Sequence, residues 1–156
     1  MNEYVILEDE EIIHYVDNLN WNLPKDIQRE SMEVLSQVHP DKVDLLIPKF
    51  GKETWGNAIY ILRKMGYPRN RGALPLLAGQ IMDRNWPGSL EALEIFREIG
   101  KRMSTPFIEN ECSKAIKQKD NDWLEHLQYA CESLGITEED FNDAQQYKMM
   151  ITLAEQ

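Results

Sequence analysis

The segment that decides the fold runs Trp55-Gly-Asn-Ala-Ile-Tyr-Ile-Leu-Arg-Lys-Met-Gly66. Its apolar side chains at Trp55, Ala58, Ile59 and Leu62 recur at the spacing i, i+3, i+4 and i+7, which places them on one side of an α-helix. Gly66 follows this apolar stripe directly, and glycine commonly ends a helix in the left-handed conformation. The segment therefore predicts an amphipathic helix that begins just before Trp55 and ends at Gly66.

The same features recur along the chain at a nearly constant interval. Tryptophans stand at positions 21, 55, 86 and 123, and glycines that follow apolar stripes stand at positions 66, 100 and 135. Each tryptophan is predicted to open a helix, and a second helix of about 10–15 residues is predicted to follow it. A period in the mid-thirties with two helices per unit is typical of helical solenoids, whose units bury their apolar faces by stacking.

This periodicity predicts an all-α fold, a HEAT-like helical-repeat solenoid (an α-α superhelix) in a single domain over residues 1–156. A first helix near residues 8–19 is predicted to cap the N-terminal end. Thr105 is predicted to cap a helix that starts at Pro106. About four helix pairs are predicted to follow the capping helix, at 24–38 with 41–50, 53–65 with 71–83, 89–99 with 105–118, and 122–134 with 138–154.

Charge is unevenly distributed along the chain, which has 27 acidic and 17 basic side chains and a formal net charge of −10. Residues 1–50 carry −7, residues 51–103 carry +4, and residues 104–156 carry −7. An acidic chain repels phosphate backbones, so the overall charge argues against DNA or RNA as a partner. It permits long-range attraction of a basic protein partner.

No stretch of the sequence is suited to a membrane or to secretion. No apolar run approaches the ~20 residues that span a bilayer, and Met1-Asn2-Glu3-Tyr4 lacks the basic and apolar regions of a signal peptide. We therefore expect a cytoplasmic protein without a membrane partner. The two cysteines, Cys112 and Cys131, are expected to stay reduced and buried in that compartment.

Short motifs in the middle of the chain resemble those of a known group of proteins. Gly66-Tyr-Pro-Arg-Asn70, Ala73-Leu-Pro-Leu-Leu77 and Asn85-Trp-Pro-Gly88 are similar to sequences of a bacterial family of unknown function whose repeats are HEAT-like. The similarity extends over residues 40–135. It implies an α-superhelix, and it supplies no activity because no catalytic role is established for that family.

No arrangement of reactive side chains predicts catalysis, so we expect a protein that is not an enzyme. His14, His39 and His126 lie far apart, and the cysteines do not complete a standard zinc spacing with any of them. The sequence has no Gly-x-Ser-x-Gly elbow and no glycine-rich loop ending in Gly-Lys-Ser/Thr. We accordingly expect no metal and no cofactor.

The repeat period and the lack of catalytic motifs favour a protein-binding scaffold. Small acidic bacterial domains include immunity proteins, which neutralise a toxin by direct binding. By analogy with them, we expect an immunity protein whose partner is a cognate toxin. Binding is expected to depend on aromatic, arginine and asparagine side chains at the joints between helices. Six residues are the candidates: Tyr67, Arg69, Asn70, Arg84, Asn85 and Trp86.

The alternative function is binding of a nucleic acid or a phosphate ligand through the central basic segment, residues 63–84. Clustered basic side chains are the usual contacts for phosphate groups. The basic residues of this segment are Arg63, Lys64, Arg69, Arg71 and Arg84. Salt-dependent retention of DNA or RNA would distinguish this alternative from the binding of a protein partner.

Trp55→Ala tests the packing interpretation of the repeated tryptophans. Because Trp55 stands at the start of the best-formed apolar stripe, we expect the substitution to lower the free energy of unfolding by about 3–5 kcal/mol, the usual loss for a buried aromatic side chain truncated in a core. Urea denaturation followed by circular dichroism measures the change. An unchanged unfolding midpoint would mean that the indole is exposed and free for binding.

Overall fold

The computed structural model of the protein describes residues 4–156, which form short helices joined by tight connections. The α-helices in this range are α1 (Asp9–Asp17), α2 (Lys25–Leu35), α3 (Lys52–Met65), α4 (Leu74–Gln80), α5 (Ser89–Ile99), α6 (Lys101–Lys117), α7 (Asn121–Leu134) and α8 (Ala144–Ala154). Three segments are 3₁₀-helical: Pro40–Leu46, Arg71–Ala73 and Glu138–Asp140.

The predicted all-α class is confirmed. Between residues 4 and 156 the only strand-like pairing is an isolated bridge between Val5 and Val38. None of the helices described in this range is long and apolar enough to cross a bilayer.

The second helices of three predicted pairs are shorter than expected. The one predicted over 138–154 is a 3₁₀ turn over Glu138–Asp140 followed by α8 over Ala144–Ala154. The prediction of a helix over 41–50 is wrong, because the chain forms a 3₁₀ segment over Pro40–Leu46 and then an irregular connection. Prolines bound this run at both ends, and the residue before a proline is disfavoured in a helix, so no long α-helix fits between Pro40 and Pro48. The helix predicted over 71–83 begins as a 3₁₀ turn and continues as α4 only to Gln80.

The predicted start of a helix at Thr105 and Pro106 is wrong. Helix α6 begins at Lys101, directly after Gly100, so Pro106 lies inside the helix. Gly100 has φ +91°, and it is the only residue between α5 and α6. The connecting loop that the sequence pattern implied is therefore absent from this position. The Thr105 hydroxyl, instead of capping the helix, donates a hydrogen bond to the Lys101 carbonyl at 2.6 Å.

Helices one repeat apart pack side by side. Helix α3 packs against α5 and α5 against α7, while α4 packs against α6 and α6 against α8. Consecutive helices also pack together from α4 to α8. Helices α3, α5 and α7 thus lie side by side, as do α4, α6 and α8. One cluster of buried apolar side chains extends from Ile12 to Met150.

Polar contacts between distant residues also follow the repeat. Every side-chain hydrogen bond described between residues 4 and 156 that is not local joins positions 28 to 42 residues apart. Arg63, for example, donates to Glu98 at 2.7 Å, and Arg97 donates to the Ser133 carbonyl at 3.2 Å. These contacts connect one helix pair to the next and no further.

The tryptophans occupy two kinds of position. Trp55 and Trp123 stand in the first turns of α3 and α7, as predicted, and both are buried. Trp21 and Trp86 lie in the connections before α2 and α5, so the prediction that each tryptophan opens a helix is wrong for these two. Trp21 is exposed, and Trp86 is half-buried against the core.

Gly88 brings the start of α5 into direct contact with the backbone of α3. Its φ is +81°, and a Cβ atom at this position would lie 2.6 Å from Ile59 Cδ1, 3.3 Å from the Trp55 carbonyl oxygen and 3.4 Å from Gly56 Cα. A side chain is thus opposed both by the left-handed backbone and by atoms that cannot all move away.

Gly88→Ala and Gly135→Ala separate these two effects. Gly135 also has a left-handed backbone, with φ +72°, but no heavy atom lies within 4 Å of its Cβ position. We expect Gly135→Ala to lower the free energy of unfolding by about 1–2 kcal/mol and Gly88→Ala to lower it by about 2–5 kcal/mol, because overpacking is added to strain. Chemical denaturation measures both, and equal losses would contradict the close approach of α5 to α3.

Candidate functional site

Three of the four tryptophans line one open groove on the surface. This groove, of about 550 Å³, is named the tryptophan groove here. It lies between the connection that precedes α3 and helices α3, α4, α6 and α7. The lining residues are Ile47, Pro48, Lys49, Phe50, Trp55, Pro75, Leu76, Gly79, Gln80, Met82, Trp86, Glu111, Lys114 and Trp123.

The floor of the tryptophan groove is built from packed indoles. The ring centroids of Trp55 and Trp86 are 5.5 Å apart, with an angle of 53° between the ring planes. The Trp55 indole Nε1 donates a hydrogen bond to the Pro48 carbonyl oxygen at 2.8 Å. This bond ties the connection before α3 to the helix.

Two large apolar side chains of the groove are exposed to solvent. Phe50 is 82% exposed and Leu76, on α4, is 38% exposed. Single apolar side chains on a surface are ordinary, but apolar side chains that border a concave aromatic surface are typical of binding sites. The tryptophan groove thus offers an apolar surface that a partner can cover.

The polar groups of the groove are few and mostly buried. Gln80 and Trp123 are 7% and 6% exposed, and Gln80 Oε1 and Trp123 Nε1 have no hydrogen-bond partner among the described residues. The Glu111 side chain is 5% exposed and pairs with Lys114, whose Nζ lies 3.3 Å from Glu111 Oε1. Buried polar atoms without partners are rare in proteins. Two of the five described in residues 4–156 line the groove, and the other three are Arg69 Nε, Asn70 Oδ1 and Gln146 Oε1.

The first joint, between α3 and α4, contains Tyr67, Arg69 and Asn70. Tyr67 is exposed and able to contact a partner. Arg69 Nη2 donates to the Ser36 carbonyl at 2.9 Å, and its guanidinium lies 5.1 Å from the centroid of the Tyr4 ring. Arg69 is therefore held against α2 and the N-terminal segment.

Asn70 is buried and bonds the end of a helix. It is 1% exposed, and its Nδ2 donates to the Leu62 carbonyl at 3.0 Å. Ser104 stands 34 residues later, and its hydroxyl donates to the carbonyl of Phe96, 34 residues after Leu62, at 2.7 Å. The two side chains therefore satisfy equivalent carbonyls near the ends of α3 and α5, which is a structural role.

The second joint, between α4 and α5, contains Arg84, Asn85 and Trp86. Arg84 donates to Glu125 at 2.8 Å and to His126 Nδ1 at 3.2 Å, both on α7. Asn85 is exposed, and only Trp86 lines the tryptophan groove. The six predicted residues thus do not form one cluster, since Arg69 contacts α2 whereas Arg84 contacts α7.

Sequence reasoning missed most of the groove. Phe50, Gln80 and Glu111 were not singled out, and Trp123 was interpreted as a packing residue. One signal was present at Leu76, an apolar residue of α4 that lies off the stripe of Leu74, Leu77, Ala78 and Ile81. An apolar side chain off the buried stripe of a helix is a candidate for a binding surface.

The arginines of the central basic segment are largely engaged within the protein. Arg63 donates to Glu91 at 2.8 Å and to Glu98 at 2.7 Å, and these hydrogen bonds raise the pKa of its guanidinium. Arg69 and Arg84 are held by the contacts described above. Lys64 and Arg71 are exposed. The segment therefore does not present five free cations on one face.

Candidate metal ligands are not grouped in the part of the chain that the structure describes. Among residues 4–156 no three His, Cys, Asp or Glu side chains are placed to hold a metal ion. Cys112 and Cys131 are fully buried free thiols, and burial raises the pKa of each to about 12. Both are poor nucleophiles at neutral pH, because the thiolate is the reactive form.

Comparison with known proteins gives no relative for this chain: no protein-family model, no curated protein and no solved structure matches it. The resemblance to a HEAT-like bacterial family stays a prediction, and function is inferred from the geometry of the groove.

Thiol reactivity tests the burial of the two cysteines. Because both side chains are buried and their pKa values are raised to about 12, we expect no reaction with DTNB at mildly alkaline pH in the native protein and full reaction in concentrated guanidinium chloride. Absorbance of the released thiolate measures both. Cys112→Ala and Cys131→Ala assign any signal, and rapid reaction of one native thiol would contradict its placement.

Proposed function

We propose that this protein is a binding scaffold that holds another protein through the tryptophan groove. The observation that carries the proposal is the pairing of exposed Phe50 and Leu76 with a floor of three tryptophans. Aromatic and apolar anchors in a concave surface contribute most of the affinity of protein interfaces.

We further propose that the scaffold is a HEAT-like solenoid with α1 as its N-terminal cap. The side-by-side packing of α3 with α5 and α7, and of α4 with α6 and α8, supports this arrangement. Long-range side-chain hydrogen bonds that reach only 28 to 42 residues along the chain support it as well. Solenoid units contact their nearest neighbours alone, and their stacking creates extended binding surfaces.

An immunity protein that neutralises a toxin in the cytoplasm is the particular function that we propose. Residues 1–50 and 104–156 each carry −7, while residues 51–103 carry +4. A solenoid keeps these segments in spatial order, so acidic ends flank a more basic centre. Such a pattern attracts a partner with basic flanks and fixes its orientation on the groove.

Nucleic-acid binding through residues 63–84 is the weaker candidate. Phosphate binding requires several basic side chains on one accessible face. Arg63 and Arg84 are instead paired with Glu91, Glu98 and Glu125, and Arg69 donates to backbone carbonyls. The geometry therefore favours the binding of a protein.

Co-expression with the protein encoded by the neighbouring gene tests the proposed function. We expect a stable complex, rescue of growth, and an association rate that falls with salt, since the Debye length shrinks from about 30 Å at 0.01 M to about 8 Å at physiological salt.

Phe50→Ser with Leu76→Ser should weaken the complex at least about tenfold. Leu90→Ser is the matched control, because Leu90 is 54% exposed on α5 and does not line the groove.

Three results would contradict these proposals separately. A harmless neighbour that forms no complex would refute the immunity function. A complex that is equally insensitive to the groove substitutions and to Leu90→Ser would place the interface elsewhere. Retention of DNA or RNA by the purified protein at moderate salt would favour the nucleic-acid alternative.

A further inference from the structure

The tryptophan groove has basic side chains at its rim, although the protein as a whole is acidic. Lys49 and Lys114 line the groove, and Lys52 lies beside it with its Nζ 5.1 Å from the centroid of the Trp86 ring. Among the described residues, neither Lys49 nor Lys52 forms an ion pair. Two unpaired ammonium groups beside an apolar surface are placed to receive carboxylates.

The groove also contains an unpaired acceptor and an unpaired donor. Gln80 Oε1 and Trp123 Nε1 are both buried without a hydrogen-bond partner among the described residues. The complement of one acceptor and one donor is a peptide group, which offers an N–H and a C=O. Extended peptides are commonly held in this way, with the main chain hydrogen-bonded and alternate side chains in pockets.

We propose that the tryptophan groove binds an extended segment of a partner protein that carries an apolar anchor side chain next to acidic residues. This inference rests on the proposed function and names the part of the partner that the groove recognises. The anchor packs between Phe50 and Leu76 over the indoles. Its acidic neighbours pair with Lys49 and Lys52, and its main chain reaches Gln80 Oε1 and Trp123 Nε1 once the side chains that cover these two buried atoms move aside.

A basic segment fits the same groove poorly. Aromatic faces attract cations, but Lys52 already occupies the vicinity of the Trp86 ring. Glu111 is the one carboxylate of the lining, its side chain is 5% exposed, and Lys114 pairs with it at 3.3 Å. A cationic anchor would therefore meet lysines at the rim and a carboxylate that is already neutralised.

The charge of the surrounding chain defines what flanks the segment. The −7 carried by each of residues 1–50 and 104–156 repels acidic surface outside the groove. The complementary partner thus presents a short acidic and apolar segment between basic regions. Such a partner is distinguished from a uniformly acidic or uniformly basic protein by repulsion as well as by attraction.

Selection from a random peptide library displayed on phage tests this inference with the full chain as bait. We expect enriched peptides in which Asp or Glu adjoins a large apolar residue, and fluorescence anisotropy of labelled peptides then gives their dissociation constants.

Lys49→Glu with Lys52→Glu should weaken binding of these peptides roughly tenfold, since two attractions become repulsions. Lys25→Glu is the control, because Lys25 is exposed at the start of α2 and does not line the groove.

Gln80→Met tests the role of the unpaired acceptor with little change of volume. We expect peptide affinity to fall about five- to thirtyfold, the range for loss of a buried hydrogen bond. The melting temperature of the free protein should not fall, because the Gln80 Oε1 atom has no partner to lose in the free protein. A lowered melting temperature with unchanged affinity would assign Gln80 a structural role and overturn its part in binding.

The remaining outcomes separate this inference from the proposed function. The selected peptides could instead be basic or uncharged, bind Leu76→Ser more weakly and tolerate both lysine substitutions. That result overturns the proposed acidic segment but leaves protein binding by the groove intact. Peptides that bind Leu76→Ser and Leu90→Ser as tightly as the unchanged protein overturn the groove as the binding site, and with it this inference.

Discussion

The contact of Gly88 with the backbone of α3 determines how one helix pair meets the next at the centre of the molecule. Gly88 has no side chain, and its backbone lies so close to α3 that an added Cβ atom would be 3.3 Å from the Trp55 carbonyl oxygen. That approach sets Trp86 against Trp55, with ring centroids 5.5 Å apart. The hydrogen bond from Trp55 to the Pro48 carbonyl then fixes the segment that carries Phe50. The shape of the groove thus follows from a backbone contact that lies beneath it.

The fold was more predictable from sequence than the site, for physical reasons. Helices with a regular apolar stripe and a terminal glycine, such as α3, were predicted to within a few residues, because local periodicity determines them. The end of α5 at Gly100 was predicted as well, but the start of α6 at Lys101 was not, because the sharp turn between α5 and α6 depends on packing of the two helices. Trp86 was the one predicted residue found in the groove. Gln80, Glu111 and Trp123 come from three different helices, and no local pattern reveals that they meet.

Charge and apolar surface have separate roles in the proposed interaction. Burial of Phe50, Leu76 and the edges of the indoles would provide affinity, because apolar area removed from water contributes about 25 cal/mol per Å² before the costs of association. Lysine side chains at the rim are solvated, so their ion pairs add little energy and act mainly on the choice of partner. An acidic protein with a locally basic groove can therefore still select an acidic segment.

The limited reach of the polar contacts has a consequence for how the molecule unfolds. When each helix pair is held only by its neighbours, stability is a sum of terms between adjacent units, and the terminal pairs can open while the central ones persist. The tryptophan groove draws its lining from α3, α4, α6 and α7, so it crosses several of these units. A segment bound there would contact all four of these helices at once. Occupancy of the groove would thus oppose their separate opening, with slower amide exchange at the centre of the molecule.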